Sequence, residues 1–349
     1  MIHLSTDNRD VHMNPPRSHT HLFLLRPLSR YKSTPNPIMQ AGGDFSTAWQ
    51  TKAGEWRATS QSGLFSSMDF ESWTRYDPIF DGSECTDFYP LPRTCDGCHD
   101  AAAAAAVTVA APTHVLKRSD HTCDQYMFGV YDEGALNGTG TWKNTTDWSS
   151  TDRLIDYYYQ CTENSAVYAS KSFVDSKNNR RINLGWLRSH GAMTLAREVT
   201  YNPTHGLLQF PVIPEIAKVR NATLVGSVPA GTTDSFFGGG WPAGGLQIEA
   251  LASFTHDSSG LADGADTPDT PPEFGLCLAV PASNQTACPI RVGVAVLAGG
   301  AAVKVTVTGA DGGVGVAVMP IAANEAIEVR AYVDQQFAEV DLNQVRVCG

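Results

Sequence analysis

Apolar and polar residues alternate along most of this chain in short runs broken by turn residues, a period of two rather than 3.6. Residues 125–132 form one such run. Residues 167–174 form another, followed by the polar stretch Asp175-Ser176-Lys177-Asn178-Asn179 and a second run over 181–187. That sequence of run, turn and run predicts an antiparallel hairpin. Helical periodicity is nearly absent. From residue 246 onward Val, Ala and Gly dominate, and residues 292–296, 302–307 and 314–318 read as buried strands, with 309–315 as a glycine-rich strand turn. The pattern predicts an all-β protein built as a sandwich, a barrel or a propeller. A Gly- and Thr-rich stretch over 229–245 and the change of composition after it predict a domain boundary near residues 215–235. The second part is most simply a β-sandwich.

Length and composition narrow the class. The 349 residues suffice for two domains, and 42% hydrophobic with 17% charged residues is ordinary for a globular protein. The net charge of −11 argues against nucleic acid or an anionic membrane surface as a partner, because both require a basic face. No apolar run is long enough to span a bilayer. Near the N-terminus only Leu22-Phe23-Leu24-Leu25 is apolar, without the core and cleavage site of a signal peptide. Four Asn-x-Ser/Thr sequons, at Asn137, Asn144, Asn221 and Asn284, favour a secreted or vacuolar glycoprotein over chance occurrence.

The cysteines add little chemistry. There are eight. Cys277 and Cys288 flank a Pro/Ser/Asn-rich stretch that reads as a hairpin loop and is compatible with a disulfide. Cys95 and Cys98 form a lone pair next to His99. A zinc site needs four ligands and no second pair lies at a suitable spacing, so a local disulfide or two free thiols fits better. The poly-Ala tract over 101–106 reads as a loop insertion or one helical turn. No phosphate-binding loop, zinc-protease helix or nucleophile elbow is present, and no cofactor or metal is implied.

Three clusters carry candidate chemistry. The first is Gly43-Asp44-Phe45-Ser46-Thr47-Ala48-Trp49 with Gly54-Glu55-Trp56-Arg57. The second is Ser66-Ser67-Met68-Asp69-Phe70-Glu71-Ser72-Trp73 with Glu84-Cys85-Thr86-Asp87-Phe88-Tyr89-Pro90. The third is Tyr168-Ala169-Ser170-Lys171-Ser172-Phe173 with Arg180-Arg181-Ile182-Asn183-Leu184-Gly185-Trp186. Each sets carboxylates or cations beside aromatic rings at strand ends. Sugar hydrolysis needs that combination: one carboxyl protonates the leaving oxygen, another attacks or stabilises the cation, and aromatic faces floor the sugar ring. Taken alone, a carboxylate–aromatic strand end is more often structural than catalytic.

In their order and spacing these motifs resemble glycoside hydrolase family 32, the invertases, inulinases and fructan exohydrolases, from about Tyr31 to Val347. His114-Val115-Leu116-Lys117, Ala196-Arg197-Glu198-Val199 and Val329-Arg330-Ala331-Tyr332-Val333-Asp334 add to the resemblance. It implies a five-bladed β-propeller followed by a C-terminal β-sandwich. It makes Glu84 the acid/base, with Thr86 where the family has Pro. It makes Asp44 the transition-state stabiliser, with Gly43 and Phe45 in place of the family's Arg and Pro. Lys171, Asp156 and Trp49 become substrate-binding residues.

The family's nucleophile lies in a Trp-Met-Asn-Asp-Pro-Asn-Gly motif. This chain has His12-Met13-Asn14-Pro15-Pro16, with Pro15 where the Asp should stand, and Tyr31-Lys32-Ser33-Thr34-Pro35-Asn36-Pro37-Ile38 already resembles the segment before the stabiliser. The expectation is an incomplete propeller over 31–220 with most of its first blade missing, a sandwich over 221–349, and no assignment for 1–30. Two functions are open: retaining hydrolysis of β-fructofuranosyl linkages in sucrose or fructans, and carbohydrate binding by a catalytically inactive relative.

Overall fold

A computed structural model describes residues 45–80, 84–94, 111–120, 123–146, 167–187, 191–219, 247–254, 273–278, 290–297, 300, 302–308, 314–322, 325–334, 337–343 and 345–348. Asp44, Asp156, the residues before Asp44, the Cys95–Cys98 pair, the poly-Ala tract, Cys288 and the boundary region 220–246 lie outside the described residues.

Three antiparallel sheets come first. β1 (Phe45–Gln50), β2 (Trp56–Ser60), β3 (Gly63–Ser67) and β4 (Thr74–Tyr76) pair in chain order. So do β5 (Glu84–Pro90), β6 (His114–Asp120), β7 (Cys123–Asp132) and β8 (Thr141–Asn144). The third sheet holds β9 (Val167–Asp175), β10 (Arg180–Leu187), β11 (Ala192–Met193), β12 (Arg197–Asn202) and β13 (Leu207–Gln209). The expected hairpin is β9–β10, with Arg180 opposite Asp175 and Leu187 opposite Val167. The first strands of successive sheets lie side by side, β1 against β5 and β5 against β9. This is the blade arrangement of a propeller, and β3 is buried at every position because both of its faces are covered.

Two further sheets form the sandwich. One contains β14 (Gln247–Phe254), β19 (Ile327–Asp334), β20 (Phe337–Leu342) and β21 (Val345–Cys348). The other contains β15 (Glu273–Leu278), β16 (Ile290–Val296), β17 (Ala302–Thr308) and β18 (Val314–Pro320). Strict alternation builds the core between them. Val303, Val305 and Val307 of β17 meet Ile327, Val329 and Ala331 of β19, all at most 1% exposed. Outward-facing Lys304 keeps the opposite face of β17 polar.

The blades and the sandwich share a buried seam. Leu207 of β13 belongs to the sandwich core. Arg197 of β12 is fully buried; it donates from Nη2 to Glu339 at 2.9 Å and from Nη1 to Asp341 at 2.6 Å, both on β20. The remaining Nη1 bond goes to the Phe210 carbonyl at 2.8 Å. The Leu195 amide and the Gln209 side chain add bonds to Glu339 and to the Asn343 carbonyl. Among the described residues no helix is long and apolar enough to cross a membrane.

Candidate active site at the bulged strands

The site is built where β5 and β9 run beside each other, and both strands are irregular there. Along β5, Glu84 pairs with Ser119 and Asp87 with Lys117, so three steps on β5 match two on β6. Along β9, Tyr168 pairs with Trp186 and Lys171 with Leu184, again three steps against two. Each strand therefore carries one extra residue, a β-bulge. Cys85 (φ 50°) and Ala169 (φ 52°) occupy the left-handed region within them. A bulge resets the side-chain alternation, which re-aims the residue before it. In β5 that residue is Glu84 and in β9 it is Tyr168. The Tyr168 hydroxyl donates to Glu84 Oε2.

Two lysines, Lys117 buried and Lys171 partly buried, satisfy the carbonyls that the bulges release. Lys117 Nζ donates to the carbonyls of Cys85 (3.2 Å) and Ser170 (2.7 Å) and to Ser119 Oγ (3.0 Å). Its charge is met by Asp124 at 3.1 Å, with both side chains at most 1% exposed. Asp124 in turn accepts from Ser119 Oγ and the Ser170 amide. Lys171 Nζ donates to the carbonyls of Ser46 (2.7 Å) and Thr86 (2.6 Å) and to Thr47 Oγ1 (3.1 Å). Those three acceptors match the three protons of an ammonium. Burial pulls the Lys171 pKa down, and the nearby Asp87 carboxylate opposes that shift.

Asp87 closes the arrangement. Its Oδ2 accepts from the Ser172 amide (2.8 Å) and hydroxyl (2.5 Å), and its Oδ1 from Thr47 Oγ1 (3.4 Å). Arg181 donates to the same Ser172 hydroxyl at 2.8 Å and stacks its guanidinium over the Tyr89 ring at 4.2 Å. Position 86 falls inside the β5 bulge, a place where a strand tolerates proline, so Thr86 in place of the expected Pro leaves the element intact.

The structure thus brings Glu84 and Lys171 into one cluster. Trp49 lies on the same inner strand β1 but packs its ring against Phe88 (4.9 Å) and Tyr131 (6.1 Å), within an aromatic group that includes Phe80 and Trp142. The Glu55–Arg57 motif forms a buried ion pair at 3.0 Å, with Arg57 also donating to the Tyr131 hydroxyl. Asp69 of the Phe70–Trp73 motif folds into a turn, accepting from the Glu71 and Ser72 amides, which hold its pKa down at about 2. The resemblance does not single out Tyr168, Asp87, Lys117 or Asp124 as site residues. Their roles depend on the two bulges, and a bulge leaves no mark in an apolar/polar pattern. Among the described residues no group of three or more His, Cys, Asp or Glu side chains could hold a metal ion.

Comparison with known proteins agrees with this architecture. Curated relatives include a β-fructofuranosidase, insoluble isoenzyme CWINV6, from Arabidopsis thaliana, 32% identical over 211 residues, which is 52% of this chain and 36% of that protein. A fructan 1-exohydrolase from Aegilops tauschii is 34% identical over 181 residues, 45% of this chain and 28% of that one. The alignments therefore span about a third of the length of these relatives. Among solved structures, fructan 1-exohydrolase IIa from Cichorium intybus shares the fold with a TM-score of 0.59 at 19% identity, covering 90% of this chain and 68% of that one. The exo-inulinase from Aspergillus awamori does so at 0.52 and 11% identity, covering 86% and 59%. The shared fold is a β-propeller followed by a β-sandwich. The model for the N-terminal domain of glycosyl hydrolases family 32 matches residues 32–211, just over half of the sequence, and the chain belongs to that family.

Proposed function

We propose that this chain acts on β-fructofuranosyl linkages of sucrose or fructans, with Glu84 as acid/base and Asp44 as the carboxylate that stabilises the transition state. One observation carries the reading. The Lys171 ammonium bridges the carbonyls of Ser46 and Thr86, which stand two residues after Asp44 and two residues after Glu84. That bridge supports bringing the two carboxylates to one place, as cleavage of a glycosidic bond requires. Lys171 and Trp49 then shape the wall of the sugar pocket and Asp156 contributes to its rim.

In the retaining reaction Glu84 gives its proton to the glycosidic oxygen as the bond from that oxygen to the anomeric carbon breaks. A carboxylate other than the family's nucleophile, whose place in the motif Pro15 takes, attacks the anomeric carbon on the opposite face and is released when water attacks that carbon. Glu84, now ionised, removes a proton from the water that releases fructose. The test is fructose release from sucrose and from inulin, with Glu84→Gln as control. Release that is lost in Glu84→Gln is expected; release that persists in it removes Glu84 from the reaction.

A second reading, a protein that binds fructosides without cleaving them, is favoured by Pro15, which stands where the resemblance places the family's nucleophile. Calorimetric binding of sucrose or a fructan with no fructose released selects it. In either case the proposed location is secreted or vacuolar. Asn137 supports this: it is an exposed sequon in the loop between β7 and β8.

A further inference from the structure

We propose that Tyr168 is a positioning residue for Glu84, holding one carboxyl oxygen so that the other carries the transferable proton. The inference rests on the reading of Glu84 as the acid/base. Both side chains reach their places by the same device, a one-residue bulge that holds a non-glycine residue in the left-handed region, Cys85 after Glu84 and Ala169 after Tyr168. Left-handed backbone is unfavourable at a residue with a Cβ, and it persists only where the surroundings fix it. Here they do. Lys117 caps the Cys85 and Ser170 carbonyls together, Lys171 caps Thr86, and Asp87 clamps the Ser172 amide and hydroxyl. Two strained turns on adjacent strands, pinned to each other by buried charges, converge on a single contact between a phenol and a carboxyl group.

The chemistry follows from which atom donates. The Tyr168 hydroxyl is the donor and Glu84 Oε2 the acceptor, so Oε2 already accepts a proton-bearing partner. A proton on Glu84 rests on Oε1, the oxygen left to face a leaving group. The Tyr168 ring is held in turn by Trp186, edge-on with centroids 6.3 Å apart. Trp186 is 40% exposed, so the pair stands at the surface where a sugar can reach it.

Tyr168→Phe keeps the ring and its packing on Trp186 and removes only the donor. With the protein labelled at the carboxyl carbons of its glutamates, and Glu84 assigned through Glu84→Gln, the Glu84 resonance is expected to move in Tyr168→Phe while the Glu71 resonance stays. On sucrose, kcat is expected to fall about tenfold with KM within about twofold, the loss of one hydrogen bond to a charged group. A stationary Glu84 resonance beside normal fructose release overturns the contact while leaving the proposed function standing. A moved resonance in a protein that releases no fructose overturns the acid/base assignment, and the positioning role falls with it. A melt that is cooperative and within a few degrees of the parent protein shows that Tyr168→Phe is folded. If it is not, Trp186→Phe, which loosens the support of the same ring from the neighbouring strand, must move the Glu84 resonance or the proposal fails.

Discussion

Arg197 and Asp341 face each other at 2.6 Å across the seam between blades and sandwich, and neither side chain is more than 5% exposed. With Glu339 at 2.9 Å the guanidinium is held by two carboxylates, a buried triad. Removing its one cation leaves two buried anions, and breaking such a group costs about 3–5 kcal/mol. Arg197→Met is expected to lower the unfolding free energy by that amount in a urea titration. Arg197→Met combined with Glu339→Gln and Asp341→Asn is expected to recover part of the loss, because the stranded charges are gone.

Lys171 is partly buried, and its ammonium protons are met by two carbonyls and a hydroxyl. Lys171→Met would take one donor away from each of these part-buried acceptors, while the Thr86 carbonyl keeps the Thr47 hydroxyl at 2.6 Å, so the cost is that of a few net hydrogen bonds, about 1 kcal/mol each. The expected result is a stability loss of about 1–2 kcal/mol in the same titration. The start of β1 should also loosen from β5, seen as faster hydrogen exchange at Thr47 and Thr86.

His114 gives the fold a pH dependence. Its ring stacks on Phe88 at 5.1 Å, and burial lowers its pKa from the ordinary 6.5 to about 4, with Glu133 opposing the shift and Lys52 adding to it. Between about pH 6.5 and 4 the unfolded chain takes up a proton that the folded chain refuses. Stability therefore falls as the pH drops through that window and stops falling, for this group, below it. The ring is partly exposed, and solvent screening reduces the effect to on the order of 1 kcal/mol. His114→Gln is expected to flatten the fall in melting temperature between pH 7 and pH 5; an unchanged slope would count against the assignment.

Two of the four sequons lie in described residues, and their surroundings differ. Asn137 is exposed at φ 58°; its amide donates to Glu55 and its carbonyl accepts from the Tyr76 hydroxyl, so both of its backbone groups are held. Asn144 already accepts the indole N–H of Trp142 through its Oδ1. Produced through a secretory host, the protein is expected to carry a glycan at Asn137 in preference to Asn144. Enzymatic deglycosylation in heavy-oxygen water followed by peptide mass spectrometry reads both sites.

The parts of the molecule that were legible in the sequence are those where alternation is regular. The hairpin over 167–187 announces itself through the polar turn between its two runs, and β17 because Val303, Val305 and Val307 are buried at alternate positions. Glu84 is legible only through its resemblance to a family motif, since its own environment is set by a bulge that periodicity cannot register. Other motifs were visible but open to misreading. Gly54-Glu55-Trp56-Arg57 and Ala196-Arg197-Glu198-Val199 look like chemistry because they carry charge beside aromatic or apolar residues. In the fold Glu55 and Arg57 neutralise each other in the interior, and Arg197 serves the seam. A buried ion pair and a catalytic carboxylate share one signature in sequence, and only the partner's position separates them.

The charges around the two bulges bear on what a change of proton at Glu84 does. Lys117, Lys171 and Arg181 are gathered there with Glu84, Asp87 and Asp124, in a chain whose net charge is −11. With Glu84 carrying its proton, three cations stand against two carboxylates; once the proton has gone, the two signs are equal in number. Loss of that proton therefore leaves the cluster balanced rather than anionic, unlike the chain around it.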